Sequence, residues 1–184
     1  RQAGARRVEC LPSVVDLVRY HVAPPPERAI FTIGWIGSPT TAEYLHQIKT
    51  PLAEVCGDGK SRLILVGSGD VDLPGLRPDI HHWAESTEVG DIQSFDVGIM
   101  PLTDTPWSRG KCGFKLIQCM ACGRPVIASP VGANNQIVEH GISGYLASTD
   151  EEWIQALATL RGDFARRVDM GKAARKKVER EYSM

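Results

Sequence analysis

Six short apolar runs alternate with stretches of helical period, and this alternation limits the fold more than any other feature of the chain. The runs are Ile30–Ile36, Leu63–Val66, Ile80–Trp83, Val97–Met100, Pro125–Ala128 and Gly144–Ala147. They are nearly continuous, which is typical of strands buried on both faces of a parallel sheet. Parallel neighbours need crossover connections, and these are right-handed and usually helical. The pattern therefore predicts an α/β fold, a Rossmann-like doubly wound parallel sheet of about six strands with helices on both faces.

Stretches whose apolar residues have helical spacing lie between and after these runs. The candidate helices are Thr40–Val55, Val89–Ser94, Lys111–Ala121, Asn134–His140, Glu151–Arg161 and Asp163–Tyr182. The alternation begins at Ala29, so residues 29–184 are expected to form one domain.

Residues 1–28 follow a different pattern. Val8–Tyr20 predicts a short strand, a turn and about one helical turn, and the three prolines at 24–26 then favour an extended chain. We expect residues 1–28 to be an interdomain connector that leads into the domain without joining its core. Because the chain opens on this connector and stops as the last helix ends, we expect a domain truncated at both ends relative to a longer protein.

Charge and cysteine usage exclude several broad classes of protein. The formal net charge is −1, so nothing draws the whole molecule to nucleic acid or to an anionic membrane. No apolar stretch approaches the ~20 residues of a membrane span. The five cysteines are an odd number, and Cys119 and Cys122 lie in an apolar run, which favours reduced thiols and a cytoplasmic protein. The basic last helix could touch lipid at the inner face of a membrane, but its acids favour an ordinary solvated face.

The first predicted strand ends in a glycine turn that suits an anion. Gly37 closes the strand, and Ser38 or Thr40 can cap the helix that follows. The backbone N–H groups of such a turn would suit a diphosphate. The alternative is a strand-to-helix turn with no ligand.

The second strand is followed by Gly67-Ser-Gly69, which is half of a dinucleotide-binding fingerprint. The third glycine is replaced by Asp72, and Pro74 stands where the motif needs a helix. This argues against a nicotinamide site. A receiver-type domain is excluded because no acidic pair follows the first strand.

The densest group of glycines and cations follows the fourth strand. Arg109, Lys111 and Lys115 gather where the next helix is predicted to begin, at the positive end of its dipole. Three cations there cost helix stability, and an anionic ligand would remove that cost. Because open α/β sheets bind ligands beyond the carboxyl ends of their strands, we expect an anion site at residues 109–118. The alternative is that these side chains point to water.

The segment Phe114–Ala147, FKLIQCMACGRPVIASPVGANNQIVEHGISGYLA, resembles the carboxyl-terminal domain of GT-B-fold glycosyltransferases, in particular glycosyltransferase family 4, also called group 1. Upstream, LPSVVDLVRY looks like the interdomain connector of that family, and FTIGWIGSPTTAEYL looks like the first strand and helix of its donor domain. LILVGSG and DVGIMPL match later strands in order and spacing. The resemblance implies one half of a GT-B fold, the nucleotide-sugar-binding domain of a retaining hexosyltransferase of polysaccharide or glycoconjugate biosynthesis.

The family carries a pair of glutamates, of which the first contacts the donor sugar and the second the ribose hydroxyls. These positions fall on Gly110 and Gln118, so both carboxylates are absent. The resemblance implies that Gln118 still holds the ribose. Lys111 and Lys115 are expected to be the catalytic residues that stabilise charge on the departing UDP or GDP, and no metal or other cofactor is expected.

The same placement implies the remaining contacts. The diphosphate is expected to meet the N–H groups near Gly37–Thr40 and Gly113–Leu116, the base to pack near His82–Glu85, and Glu139 to face the same crevice. Trp83 within that segment could instead be a core residue. The expected nucleotide-sugar contacts are Gly37, Ser38, Thr40, Gly67, Trp83, Arg109, Gly110, Gly113, Phe114, Leu116, Gln118 and Glu139.

The acceptor site and any catalytic base are expected in a missing amino-terminal domain, so this fragment alone should be inactive. Two alternatives stay open. One is an enzyme resembling a nucleotide-sugar 2-epimerase, which closes two such domains on its donor. The other is a degenerate, non-catalytic domain that binds a nucleotide or a partner; the lost glutamates favour it, and the lysine and glycine cluster speaks against it.

Overall fold

The computed structural model describes residue 4, residues 11–24 and residues 29–184. Its sheet contains β1 (Phe31–Ile36), β2 (Ser61–Val66), β3 (Asp79–His81), β4 (Val97–Met100), β5 (Val126–Ala128) and β6 (Gly144–Leu146). The spatial order is β3-β2-β1-β4-β5-β6, and every neighbouring pair is parallel. The predicted sheet of about six parallel strands is confirmed.

The burial of the strands follows their place in the sheet. Every residue of β1 and β4, the two central strands, is buried, as their continuous apolar runs predict. The edge strand β3 differs, because Asp79 and Ile80 are exposed. The prediction of a strand buried on both faces over Ile80–Trp83 is wrong, because the strand is Asp79–His81 and it is the edge strand of the sheet that the described residues form.

The helices are more numerous than the sequence predicts, and several are shorter. They are α1 (Pro39–Ala42), a 3₁₀ helix (Glu43–Ile48), α2 (Lys49–Cys56), α3 (Glu88–Gln93), α4 (Pro106–Arg109), α5 (Phe114–Ala121), α6 (Asn134–Ile137), α7 (Asp150–Gly162) and α8 (Phe164–Glu181). The predicted helix Thr40–Val55 is three pieces. Pro51 explains the last break, because its ring cannot follow a continuous α-helical turn and fits only the first turn of α2.

Helices cover both faces of the sheet, as a doubly wound fold requires. On one face, α3, α5 and α8 bury side chains such as Ile92, Ile117 and Val178. On the other face, α2 and α7 bury Leu52 and Leu157. None of the helices in the described residues is both long and apolar enough to cross a membrane.

Part of the connector belongs to the domain core. Val15 and Tyr20 are 2% and 5% exposed. The Val15 N–H donates to the carbonyl of Tyr182 over 2.9 Å, and the Tyr20 N–H donates to the carbonyl of Asp16 over 2.9 Å, which closes the predicted helical turn. The expectation that this segment stays outside the core is therefore wrong for Val15 and Tyr20. Its predicted strand near residue 8 lies outside the described residues.

The cations of α8 do not form the uniformly solvated face that the sequence predicts. Arg167 and Lys177 are 8% and 6% exposed. The Arg167 Nε lies 3.2 Å from Asp96 Oδ1, and the Lys177 Nζ lies 2.8 Å from Glu139 Oε1. These basic residues fasten α8 to the rest of the domain.

Candidate functional site

A crevice opens where the order of the sheet reverses. β1 and β4 are neighbours, although β2 and β3 come between them in the chain. Loops that leave such a pair of strands diverge, and ligands of α/β sheets bind in the gap. A cavity of about 310 Å³ lies there, lined by Trp35, Thr41, Tyr44, Met100, Pro101, Leu102, Gly110, Lys111, Cys112, Gly113, Phe114 and Lys115. The structure thus brings the two predicted catalytic lysines together with Gly110, Gly113 and Phe114.

Lys115 lies in the second position of α5 and points back under the end of β1. Its Nζ donates to Thr41 Oγ1 over 2.8 Å and lies 4.3 Å from the centre of the Trp35 ring. Gly37 provides the room, because a Cβ at that position would overlap the Lys115 Nζ. Burial, together with the charge of Lys111, lowers the pKa of Lys115 to about 8. The pocket therefore disfavours the charged form of Lys115, and an anion bound beside the ammonium group would favour that form.

Lys111 reaches the same cavity from the loop before α5. Its Nζ lies 5.3 Å from the centre of the Tyr44 ring and 6.0 Å from that of Trp107. The prediction that Lys111 begins the helix is wrong, since α5 begins only at Phe114. Among the described residues, no carboxylate lies within ion-pair distance of Lys111 or Lys115.

Arg109 does not join this cluster. It ends α4, a helix that the sequence had predicted as loop, and its guanidinium faces Asp104. Nε lies 2.6 Å from Asp104 Oδ1 and Nη2 lies 2.9 Å from Oδ2, a bidentate pair that holds the pKa of Asp104 below its usual value. The prediction that Arg109 contacts the anion is not supported, because a nearby carboxylate already holds its charge.

Only part of the predicted backbone N–H cradle is available. The Gly37 N–H donates to the carbonyl of Val66, and the Ser38 N–H donates to Thr41 Oγ1. The Leu116 N–H donates to the carbonyl of Gly113, and the Leu116 side chain is 1% exposed. Gly37, Ser38 and Leu116 are therefore wrong as N–H donors to a ligand.

The start of α5 leaves two donors in place. The N–H groups of Phe114 and Lys115 are the first two of α5 and have no acceptor in its ladder. Gly113 precedes them with a φ of +67°, and a Cβ there would overlap Ile137, so only glycine fits this turn. Thr40 lies in α1 but does not line the cavity; its neighbour Thr41 does.

Gly67 and Trp83 do not line the cavity, but they lie side by side next to Gly37 at the end of β1. Gly67 has a φ of +74°, and a Cβ there would overlap the carbonyl oxygen of Gly37, so glycine lets the loop after β2 approach the end of β1. Trp83 is 51% exposed and is not a core residue. Its indole N–H donates to Glu88 Oε1 over 3.0 Å.

Gln118 is 4% exposed, and its amide nitrogen is already engaged. Nε2 donates to Tyr20 Oη and to Glu88 Oε1, both over 2.9 Å. Burial raises the pKa of Tyr20 to about 12, so its hydroxyl stays protonated. The Gln118 amide is thus part of a buried network, which the sequence did not predict.

Glu88 is the residue that the sequence analysis missed. Burial opposes its charge, but hydrogen bonds from Tyr20, Trp83 and Gln118 outweigh burial and lower its pKa. An acid at the start of a short helix is already explained by the helix dipole, so the sequence carried no signal for this role. Its partners come from three separate segments of the chain.

Glu139 lies away from the cavity. Its carboxylate accepts from Lys177 Nζ over 2.8 Å and from Arg180 Nη2 over 3.5 Å, both on α8. The prediction that it faces the crevice is wrong, since these two cations hold it against the last helix.

Among residue 4 and residues 11–24 and 29–184, no group of three or more His, Cys, Asp or Glu side chains could hold a metal ion. The cationic side chains of the cavity suit an anion.

Comparisons with known proteins add to this geometry. Residues 28–163 match the family model described as Glycosyl transferases group 1. The D-inositol 3-phosphate glycosyltransferase of Pseudarthrobacter chlorophenolicus is 29% identical over 134 residues, which cover 68% of this chain and 29% of that protein.

Solved structures show the same fold. HepE of Anabaena, in complex with UDP and glucose, superposes with a TM-score of 0.73 and 19% identity, covering 92% of this chain and 51% of HepE. The C-terminal domain of a glycosyl transferase group 1 family protein (LpcC) from Francisella tularensis superposes with a TM-score of 0.67 and 16% identity, covering 92% of this chain and 99% of that domain. The predicted half of a GT-B fold is confirmed, and the chain spans about half of HepE.

Proposed function

This chain belongs to the glycosyl transferases group 1 family, and on that premise we propose that the protein transfers a sugar from a nucleoside diphosphate sugar to an acceptor, with this chain holding the donor. One observation carries the proposal. Two lysine ammonium groups without a carboxylate partner among the described residues enter one cavity at the point where the sheet order reverses.

A diphosphate fits this cavity better than other ligand chemistries do. Lys111 and Lys115 both line it, and the first N–H groups of α5 add the positive end of its dipole. Aromatic rings, rather than carboxylates, neighbour both ammonium groups, so no internal ion pair has to break when an anion enters. HepE, which shares the fold, was crystallised with UDP.

The same lysines would assist the departure of the nucleotide. Positive groups placed where charge develops stabilise the transition state, and two lysines can do for a leaving diphosphate what a divalent metal does elsewhere. We therefore propose that Lys111 and Lys115 serve without a metal. Gln118 would accept a hydrogen bond from the ribose, and Trp83 would pack against the base. Retention of configuration and membership in family 4 are part of the same proposal.

Transfer itself would need residues outside this chain. The chain spans 29% of its Pseudarthrobacter relative and 51% of HepE, so we propose that the acceptor site lies in the part without a counterpart here. The 184-residue chain should then bind the donor but transfer nothing. A cytoplasmic location also stays a prediction.

One alternative has an observation in its favour. Gly110 and Gln118 stand where the family carries carboxylates, which would suit a domain that binds a nucleotide without catalysis. A full-length protein that binds the donor tightly but releases no sugar to any acceptor or to water would support this alternative.

Calorimetric titration of the 184-residue chain with UDP, GDP and their sugars tests the donor site. We expect binding in the micromolar range and at least a tenfold loss in Lys115→Ala, because each tenfold corresponds to ~1.4 kcal/mol, less than one buried charge-assisted contact contributes. Lys172→Ala is the matched control, since that lysine is exposed and pairs with Asp169 on α8. The proposal fails if no nucleoside diphosphate binds at high micromolar concentration, or if Lys115→Ala binds as the wild type does.

A further inference from the structure

A single buried carboxylate holds two residues of the proposed nucleoside site. Glu88 has a side chain that is 8% exposed. Its Oε2 accepts from Tyr20 Oη over 2.6 Å and from Arg19 Nη2 over 2.8 Å. Its Oε1 accepts from Trp83 Nε1 over 3.0 Å and from Gln118 Nε2 over 2.9 Å. Four donors therefore converge on one acid.

The chemistry of this acid fixes the orientation of the Gln118 amide. An ionised carboxylate only accepts hydrogen bonds, so the NH₂ group and not the carbonyl oxygen of Gln118 must face Glu88. The second N–H of that NH₂ group donates to Tyr20 Oη, and the Tyr20 hydroxyl donates its own proton to Glu88. Both donors of the amide are consumed, and no donor among the described residues reaches its carbonyl oxygen. Gln118 can offer a ligand an acceptor and nothing else.

The same acid fixes one edge of Trp83. The indole has one N–H donor, and Glu88 accepts it, so that edge of the ring is turned inward. The ring is nevertheless 51% exposed. A half-exposed aromatic ring held along one edge offers a flat surface on which a base can stack.

Gln118 and Lys115 are neighbours on α5. They are three residues apart, so they lie on the same side of the helix about one turn from each other. A ligand whose diphosphate meets Lys115 would therefore bring the adjoining ribose toward Gln118.

From these contacts we infer that Glu88 is the positioning residue for the nucleoside half of the donor, because it turns the Gln118 carbonyl oxygen toward the ribose hydroxyls and orients Trp83 for the base. The inference rests on the proposed function. A glutamate at position 118 would offer the ribose hydroxyls only acceptor oxygens. Gln118, when held by Glu88, also offers only an acceptor oxygen, but the negative charge then lies on Glu88, further from the ligand. Glu88 would act only through Gln118 and Trp83, which it holds.

Glu88→Gln tests the inference in the 184-residue chain. This variant keeps the shape of the side chain but lets the Gln118 amide turn either way. The probes are UDP, GDP and ADP, the 2′,3′-dideoxy form of each, and inorganic pyrophosphate. We expect the wild type to prefer the tightest-binding ribonucleotide over its dideoxy form by about tenfold, and Glu88→Gln to lose most of that preference while its Kd for pyrophosphate stays within twofold. Glu85→Gln is the matched control, because Glu85 also pairs with Arg19 but is exposed.

The exchange variant Glu88→Gln/Gln118→Glu keeps one acid and one amide with their positions reversed, and it should recover the ribose preference. If Glu88→Gln alone does not fold, this exchange variant decides: a retained preference supports the inference and a lost one overturns it. A folded Glu88→Gln that discriminates ribose as the wild type does, or that loses pyrophosphate and nucleotide equally, also overturns it. If the wild type binds pyrophosphate but no nucleoside diphosphate more tightly, the nucleoside site is absent and the inference fails. If it binds none of the probes, the proposed function fails as well.

Discussion

Replacing Lys115 by methionine should make the protein more stable while removing its proposed function. Methionine fills nearly the same volume and packs well on an aromatic ring, so the Trp35 contact survives. What disappears is an ammonium group whose charge the folded state disfavours. The pKa of Lys115 falls from 10.5 to about 8 on folding.

The magnitude follows from that difference. Each pKa unit corresponds to ~1.36 kcal/mol, so the charged lysine costs the folded state about 3 kcal/mol at neutral pH. Loss of the Thr41 hydrogen bond offsets about 1 kcal/mol, which leaves a net gain in the free energy of unfolding of about 2 kcal/mol at pH 7.

The pH dependence has a definite sign. Below pH 8 Lys115 is protonated in both the folded and the unfolded state, so its charge destabilises the folded state by the full amount. Between pH 8 and 10.5 the folded lysine releases its proton before the unfolded one does, so the wild type gains stability as pH rises and the advantage of the variant shrinks. At pH 9.5 the free energy of unfolding of Lys115→Met should exceed that of the wild type by less than about 1 kcal/mol.

Urea unfolding followed by tryptophan fluorescence at pH 7 and pH 9.5 measures both values. Lys172→Met serves as the control, because an exposed lysine should change stability little at either pH. A Lys115→Met variant that is less stable than the wild type at pH 7, or whose advantage is the same at both pH values, would refute the reasoning about burial.

Three other substitutions have outcomes that the structure fixes. Gly37→Ala should cost about 1–3 kcal/mol of stability in urea unfolding, because the new Cβ overlaps the ring of Trp35, and it should weaken UDP or GDP binding, because the Cβ also overlaps the Lys115 Nζ; an unchanged Kd would show that the Cβ does not displace this ammonium group. Arg109→Ala should leave nucleotide affinity within twofold by calorimetry, and a tenfold loss would return this residue to the anion site. Arg175→Met removes hydrogen bonds to the carbonyls of Tyr20 and Ala121, so thermal unfolding should show a loss of about 1.5–3 kcal/mol, and no loss would mean that these two bonds do not stabilise the fold.

The fold could be predicted because its signal is local. A strand with neighbours on both sides and helices on both faces is buried at every position, as β1 and β4 are, and its sequence is therefore a nearly continuous apolar run, interrupted in β1 by Thr32. The grouping of both lysines in one cavity could be predicted for the same reason, since the glycines and lysines that line it lie close together in the sequence between residues 110 and 115. The edge strand β3 is not buried at every position, because one of its sides has no neighbouring strand in the described sheet.

One error concerns a local contact, and the others concern contacts between distant segments. The pairing of Arg109 with Asp104 depends on how the loop after β4 folds back into α4, which residue types alone do not reveal. The four donors to Glu88 come from the connector, the loop after β3 and α5. The sequence of one of these segments does not indicate that the other two lie beside it. Inward-facing cations on α8 likewise depend on acids and carbonyls far away in the chain.

Proton uptake on binding tests the central claim most directly, because it reports the charge of Lys115 and the entry of an anion together. At pH 8 Lys115 is about half protonated in the free protein. A diphosphate beside it should restore full protonation, so calorimetric titration with UDP or GDP in two buffers of different ionisation enthalpy should show uptake of about half a proton per nucleotide at pH 8. In Lys115→Met the uptake should vanish. Absence of nucleotide binding, or binding without this uptake, would contradict the placement of the donor diphosphate at Lys115.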